Sequence, residues 1–405
     1  MATDADLTPD RLNPGALRIK PGLLISLLLL CALVVPGPAR GALLRSDNTP
    51  FAPSSVILGA AWSSPTYAPP VNQVGDILPT VWAHDGNQYT MIDDGESDED
   101  SHKVWKQSLA RITGTPPHIH IAHVGNRSMP LPHTFQEIRG NRSLWGGPLG
   151  PYYSSGLVEA QKVLFATQEN DWHWGINAPF AGLAGIAYSS DLGQSWKSPA
   201  HPFPAPLGNL SWVIRGMGGA YPDGWVYALA TEREFNATSL IMGRSRPDVA
   251  SMTDPAKWQW ISGLTGAGNT PRFSSQFSAA APIASWASHI TYPQMAYDAP
   301  LHQYLLTFTW SYGAAPPAIW RYGSELMILT APHPWGPFQF VARQPYFGPS
   351  NGYSAGFPVG WISRDGRSLW LKWAANFAGC EPHLNCAGAY GFNYRQMRLT
   401  VAAHH

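Results

Sequence analysis

Five segments of the chain share one design, a turn followed at once by an apolar, aromatic-rich run: AHDGNQYTMI, VEAQKVLFAT, YPDGWVYALA, YDAPLHQYLLTF and SRDGRSLWLKW, with turns near Asp85, Ala160, Asp223, Ala299 and Asp365. Self-similarity at a period of some tens of residues marks solenoids and propellers, whose units cannot bury their apolar faces alone. The glycine of each DG turn supplies the positive φ of a tight hairpin, and the run after it alternates or stays apolar as a buried strand does. Every copy is followed by a second strand pair: KVWKQSLARI, GIAYSSDLGQSW, SLIMGRSRPD with WQWISG, ELMILTAPHPWGPFQFV, and FNYRQMRLTV. With the strand before each turn, that gives about four antiparallel strands per copy, the pattern of a propeller blade. The turns stand about 60 to 80 residues apart; this exceeds a minimal blade, so loops inserted on one face are expected to build the site. The expected fold is all-β, a closed five-bladed β-propeller over residues 71–405, with little helix.

The N-terminus reads differently. Arg18 and Lys20 precede an apolar run, Leu23 to Val35, and Pro36 to Gly41 then bring helix breakers and small residues. This is the layout of a secretory signal segment over 1–41, cut near Gly41 or Ala42. A signal anchor is the alternative, although the run is shorter than the roughly 20 residues of a spanning helix. Residues 42–70 are then an extension before the propeller, and the mature chain is expected outside the cell. Export makes a disulfide between Cys380 and Cys386 plausible, and Asn126, Asn141, Asn209 and Asn236 each begin a glycosylation sequon. Charged residues are 13% with a formal net charge of zero, which argues against nucleic acid or an anionic membrane as partner. No phosphate-binding loop, dinucleotide fingerprint, zincin helix or serine-hydrolase elbow is present, and no cofactor is implied.

The segment SSDLGQSW, Ser189 to Trp196, fits the S-x-D-x-G-x-S/T-W pattern called the Asp-box in sialidase-like propellers. There Asp191 is expected to hydrogen-bond a turn, Gly193 to allow its backbone, and Trp196 to pack between blades. These are structural roles. His118, His120 and His123 suggest a metal site only weakly, since their flanking isoleucines fit an ordinary strand with a polar face. The acidic run Asp93 to Asp100 could suggest calcium but lacks the glycine and terminal glutamate spacing of an EF-hand loop; no metal is assigned.

Four stretches, GDILPTVWAHDGNQYTMIDDG, YDAPLHQYLLTF, APHPWGPFQFV and FPVGWISRDGRSLWLKW, together resemble a family of secreted five-bladed propellers long carried as a domain of unknown function, whose characterised relatives are endo-D-arabinan-cleaving glycoside hydrolases. The resemblance implies a working carboxylate at Asp76 and another at Asp94. Hairpin pairing around Asp85 and Gly86 brings both toward one rim, as they lie nearly equidistant from the turn. Glycoside cleavage needs two such groups, one protonated toward the leaving oxygen and one ionised. The plainer alternative is that Asp76 caps a turn and Asp94 belongs to the acidic surface run. A third, acidic residue has no motif; Glu159, Glu169 and Glu232 are its candidates. Trp172, His173 and Trp174 lie in a loop where flat rings suit a sugar face, whereas Trp82, Trp370 and Trp373 fit packing between blades. The expected partner is a polysaccharide or other glycan, met by a monomer. The alternatives are a non-catalytic carbohydrate-binding or adhesion propeller, and a propeller lyase or esterase.

Overall fold

The computed structural model describes residues 48–63, 73, 75–95, 105–125, 152–170, 182–197, 201, 203, 207–266, 270–313, 323–347, 352–375 and 390–403, less the side chains of 94–95, 105–106, 152, 170 and 182–184. The signal segment, Cys380, Cys386, Asn126, Asn141, Trp172, His173 and Trp174 lie outside the described residues.

The five turn-and-strand copies each become a blade. Strand β1 (Ile57–Trp62) belongs to the last of them. The first blade holds β2 (Thr80–Trp82), β3 (Gln88–Gly95), β4 (Trp105–Thr115) and β5 (His118–His123). The second holds β6 (Tyr152–Tyr153), β7 (Leu157–Ala160), β8 (Val163–Asn170) and β9 (Gly182–Ser189), with Lys197 bridged to Tyr188 as its outer edge. In the third, β10 (Leu210–Ile214), β11 (Val226–Thr231), β12 (Ala237–Ser245) and β13 (Gln259–Thr265) carry an added β14 (Thr270–Ser274). The fourth has β15 (Ala284–Asp298), β16 (Gln303–Ser311), β17 (Ser324–Ala331) and β18 (Gln339–Gln344). The fifth has β19 (Gly352–Gly356), β20 (Ser368–Ala375) and β21 (Asn393–Val401), and β1 completes it. Blades three and four are hydrogen-bonded into one sheet, through Val213 and Ile214 of β10 beside Met295 and Ala296 of β15.

Alternate residues of a strand point to opposite faces, and here each face meets a different neighbour. On β16, Leu305 packs toward the fifth blade and Leu306 toward the third. Five buried clusters result, one per blade interface, the one between the second and third blades centred on Trp212, Trp258 and Trp260. Trp373 is likewise packing material, against Trp62 and Phe347, and Trp82 packs at the edge of the cluster between the fourth and fifth blades. Burial on both faces explains why the runs after the turns are continuously apolar.

Closure differs from the expected boundary at 71. The segment taken as an extension contains β1, which pairs antiparallel with β21 from Ile57↔Val401 to Trp62↔Met397. A first-in-chain strand on the last blade closes the ring with hydrogen bonds instead of leaving β21 as an open edge. The motif at Asp191 forms the turn between the second blade's outer strands. Its carboxylate accepts from the Ser195 amide at 2.9 Å and the Ser195 hydroxyl at 2.6 Å, Gly193 has φ +87°, and Trp196 is buried against the first blade. Partial burial pushes the Asp191 carboxyl up, but these donors outweigh it and hold the pKa below the ordinary value.

The rim carrying the five turns is bridged by Arg215–Ala220. Gly218 donates its amide to Trp82 O at 2.9 Å, and Gly219 lies so near the Glu159 carbonyl that a Cβ would stand 2.0 Å from its oxygen. Ile214 contacts the clusters on both sides of the axis.

Burial of Ile57 and Trp62 is worth about 4–6 kcal/mol together. A chain beginning at residue 64 should therefore melt about 5–8 °C below one beginning at residue 48, measured by thermal unfolding followed in the near-ultraviolet. Equal melting temperatures would show that β1 does not close the ring.

Candidate active site

On the other rim the innermost strands begin, and beyond the β10–β15 pairing their axis-facing edges have no further strand to bond among the described residues. Neighbouring blades take up those groups, as buried backbone polar atoms require. Ser154 N–H donates to Asp93 Oδ2 at 2.8 Å between blades one and two, and Ser155 Oγ to Leu210 O at 2.9 Å between two and three. Ser211 Oγ donates to Pro293 O, Thr307 Oγ1 to Ala355 O, and Ser354 Oγ to Ile77 O, which completes the circle.

Asp76 sits where that circle joins the first blade. Its amide donates to Asp93 O at 2.9 Å and its carbonyl accepts from Asp93 N at 3.1 Å. The expected partner across the hairpin was Asp94. Thr80↔Thr90 pairing does extrapolate to it, but Ile77 and Leu78 both adopt left-handed backbone, φ 63° and 56°, and this bulge shifts the register by one residue. Two consecutive bulky residues at positive φ are strained, a condition found most often at functional sites. Asp94 belongs to β3 by its backbone, and its side chain lies outside the described residues.

Around Asp76 each blade contributes one polar side chain. Tyr353, from the fifth blade, donates its hydroxyl to Asp76 Oδ2 at 2.7 Å. Its ring lies 5.9 Å from that of Tyr292 of the fourth blade, and Tyr292 donates its hydroxyl to Glu234 Oε1 of the third. Glu169 of the second blade feels the Glu234 carboxylate. It is 5% exposed and accepts from the Ser155 hydroxyl and, at 2.9 Å, from the Leu210 amide. Burial pushes its pKa up to about 8; the two donors oppose that rise and the Glu234 charge adds to it. The geometry thus puts an aspartate and two buried glutamates on one rim.

Of the glutamates named from sequence, only Glu169 is in this ring. Glu159 faces the opposite rim, 2.6 Å from His84 Nδ1 and accepting the His84 amide at 2.9 Å. Glu232 braces its own loop through the amides of Thr238 and Ser239. Glu234 was missed, since TEREF carries no motif and gains its meaning from Tyr292, 58 residues on. Lys372 was also missed. It is 2% exposed and donates to Ser354 O at 2.8 Å, and burial pulls its pKa down to about 7. It stands opposite Gly356 as Thr90 and Thr307 stand opposite Thr80 and Gln294, so the fifth blade puts an amine where others have a hydroxyl.

Two sequons fail as expected glycan sites. Asn209 is 1% exposed, leaving no room for a glycan on the folded chain. Asn236 spends its amide on Ser311 O and Gly313 O, 3.3 Å each. His118 and His120 are exposed on the outer strand of the first blade, and among the described residues no group of His, Cys, Asp and Glu could hold a metal ion.

No family model matches the chain, and no curated protein matches it. Solved structures do. An α-L-arabinofuranosidase from Podospora anserina is 8% identical, over 86% of this chain and 98% of that one, with a TM-score of 0.44. A GH43_1 enzyme from Xanthomonas citri is 11% identical over 82% and 92%, TM-score 0.46. A GH32 β-fructofuranosidase from Bombyx mori is 13% identical over 84% and 65%, TM-score 0.44. These neighbours are glycoside hydrolases. Likeness at this level leaves the chemistry of this chain to its own residues.

Glu169 makes a pH prediction. Its folded pKa, about 8, lies above the ordinary glutamate value of 4.5, so the folded state favours the protonated form. That contribution is full below about pH 4.5 and is lost as pH rises through 8, on the order of 3–5 kcal/mol. Glu169→Gln keeps the accepting oxygen and should flatten the fall in denaturant midpoint between pH 5 and 9. A variant whose profile matches wild type would refute the buried, protonated carboxyl.

Proposed function

We propose that the chain is a glycoside hydrolase acting on a polysaccharide, an arabinan or related furanoside, at the acidic rim of its propeller. The observation that carries this is the ring in which Asp76 and Glu234 are linked through Tyr353 and Tyr292, with Glu169 within reach of the Glu234 charge. The tyrosine hydroxyl donated to Asp76 orients this carboxylate for attacking a sugar carbon or activating water. Burial keeps the Glu169 carboxyl protonated, and the Glu234 charge adds to that effect. In this reading the proton held on Glu169 reaches the leaving oxygen through Glu234, whose charge helps to keep it there until cleavage. Different environments for two carboxyl groups are what glycosidic cleavage requires. Asp94, one residue beyond Asp93, remains the second candidate base. With a signal segment at 1–41, the enzyme would meet its polymer outside the cell, and Trp172, His173 and Trp174 remain candidates for sugar contacts.

The test is release of reducing sugars from a panel of arabinans, xylans and fructans and from aryl glycosides. Asp76→Asn and Glu234→Gln should each lower kcat by about 10²–10⁴-fold, with the circular dichroism spectrum unchanged, while Asp191→Asn should cost stability alone. Wild-type turnover in the Asp76 variant sinks the assignment and moves the base to Asp94. Binding of a glycan without any cleavage would replace the hydrolase with a carbohydrate-binding propeller.

A further inference from the structure

Away from the acid ring, but on the same rim, two tyrosines stand exposed in contact. Tyr312 directly follows β16 and Tyr346 lies two residues beyond β18, and both strands end on the rim where Asp76 lies. Tyr312 is 40% exposed and Tyr346 69%, with ring centroids 5.1 Å apart. Scattered single apolar side chains on a surface need no explanation, but this pair is built. The Tyr312 hydroxyl donates to Glu325 Oε2 at 3.0 Å, and Glu325, only 6% exposed, has the Arg343 guanidinium 3.5 Å away. Tyr346 holds φ 50°, a left-handed backbone state that is strained for a non-glycine residue. Beneath the two rings lies Gly323 at φ +81°, where an added Cβ would press to 3.3 Å from the Tyr346 ring.

The fold gains little from Tyr346, whose ring is mostly in water while its backbone is strained. The platform is also tied to the acid ring. Asn236 brackets the chain on both sides of Tyr312, donating to Ser311 O and Gly313 O and accepting the Ser311 amide at 3.1 Å. The preceding Phe235 packs edge-on against Tyr292 at 5.6 Å. Rigid aromatic faces suit the C–H face of a sugar ring, while the Tyr346 hydroxyl can meet its hydroxyl edge.

We propose that Tyr312 and Tyr346 form a distal sugar-binding subsite that holds one ring of a glycan chain remote from the bond being cut. The subsite rests on the glycoside-hydrolase function proposed above. It makes the protein prefer polymers to monoglycosides, because only a chain of several sugars reaches both the platform and the acid ring.

The test compares wild type, Tyr346→Ala and Tyr346→Phe, each with its fold checked by circular dichroism. Native gels cast with soluble arabinan or xylan read binding; 4-nitrophenyl α-L-arabinofuranoside and debranched arabinan read turnover. Tyr346→Ala should lose retardation in the gel and about 3–10-fold in kcat/KM on the polymer, with the nitrophenyl glycoside cleaved as before. Tyr346→Phe should restore polymer binding. The subsite is overturned if no glycan retards the wild type, if Tyr346→Ala is retarded like wild type, or if it loses polymer and monoglycoside activity alike. Retardation that depends on Tyr346 without cleavage of any glycan would leave the subsite standing and remove the hydrolase.

Discussion

Each second strand of a blade is buried on both faces, and its two faces belong to different neighbours. Leu305 and Leu306, adjacent in sequence, pack into different inter-blade clusters, so no blade can satisfy its apolar surface alone. Five such interfaces impose closure, since an unclosed ring would expose one complete cluster and an open strand edge. The chain meets this by sending β1 back to β21. Closure in turn fixes the axis around which the inner strands stand.

The site follows from a second demand of the same ring. Apart from the β10–β15 pairing, inner strands have one edge without a strand partner, and backbone groups at their starts bond to serine, threonine and aspartate side chains of the preceding blade. Three of these junctions carry a left-handed residue, Ile77, Tyr292 and Ser354, at a shift of strand register. Asp76, Tyr292 and Tyr353 lie at or beside those bulges. Structural bonding between blades and the acid ring are therefore one network. Lys372 belongs to it as well, since it holds the Ser354 carbonyl while the Ser354 hydroxyl holds Ile77.

The opposite rim shows what the same elements do without that demand. Its turns are short and carry local bonds, such as Asp85 to Asn87 and Ser363 to Asp365. Its buried glutamate, Glu159, 2.6 Å from the ring of the exposed His84, lies beneath the strap from Arg215 to Ala220. Glu159 and Glu169 stand ten residues apart at opposite ends of one hairpin, one against a histidine and the other beside a second glutamate. Equal chemistry in sequence becomes opposite electrostatics in space.

The sequence by itself determined the blades, because a tight turn and an alternating or continuous apolar strand are local properties, settled by glycine backbone freedom and by burial on two faces. It also determined the turn at Asp191, whose donors and acceptor lie within seven residues. Asp76 was legible as a position on the rim, but its partner across the hairpin was not, since the bulge at Ile77 and Leu78 answers to Ser354 in the last blade. The roles of Glu169 and Glu234, the burial of Asn209, the place of β1 and the pairing of Tyr312 with Tyr346 were decided by tertiary structure alone. Each depends on which blades become neighbours when the ring closes, and residues brought together by closure are far apart in the chain and carry no common local pattern.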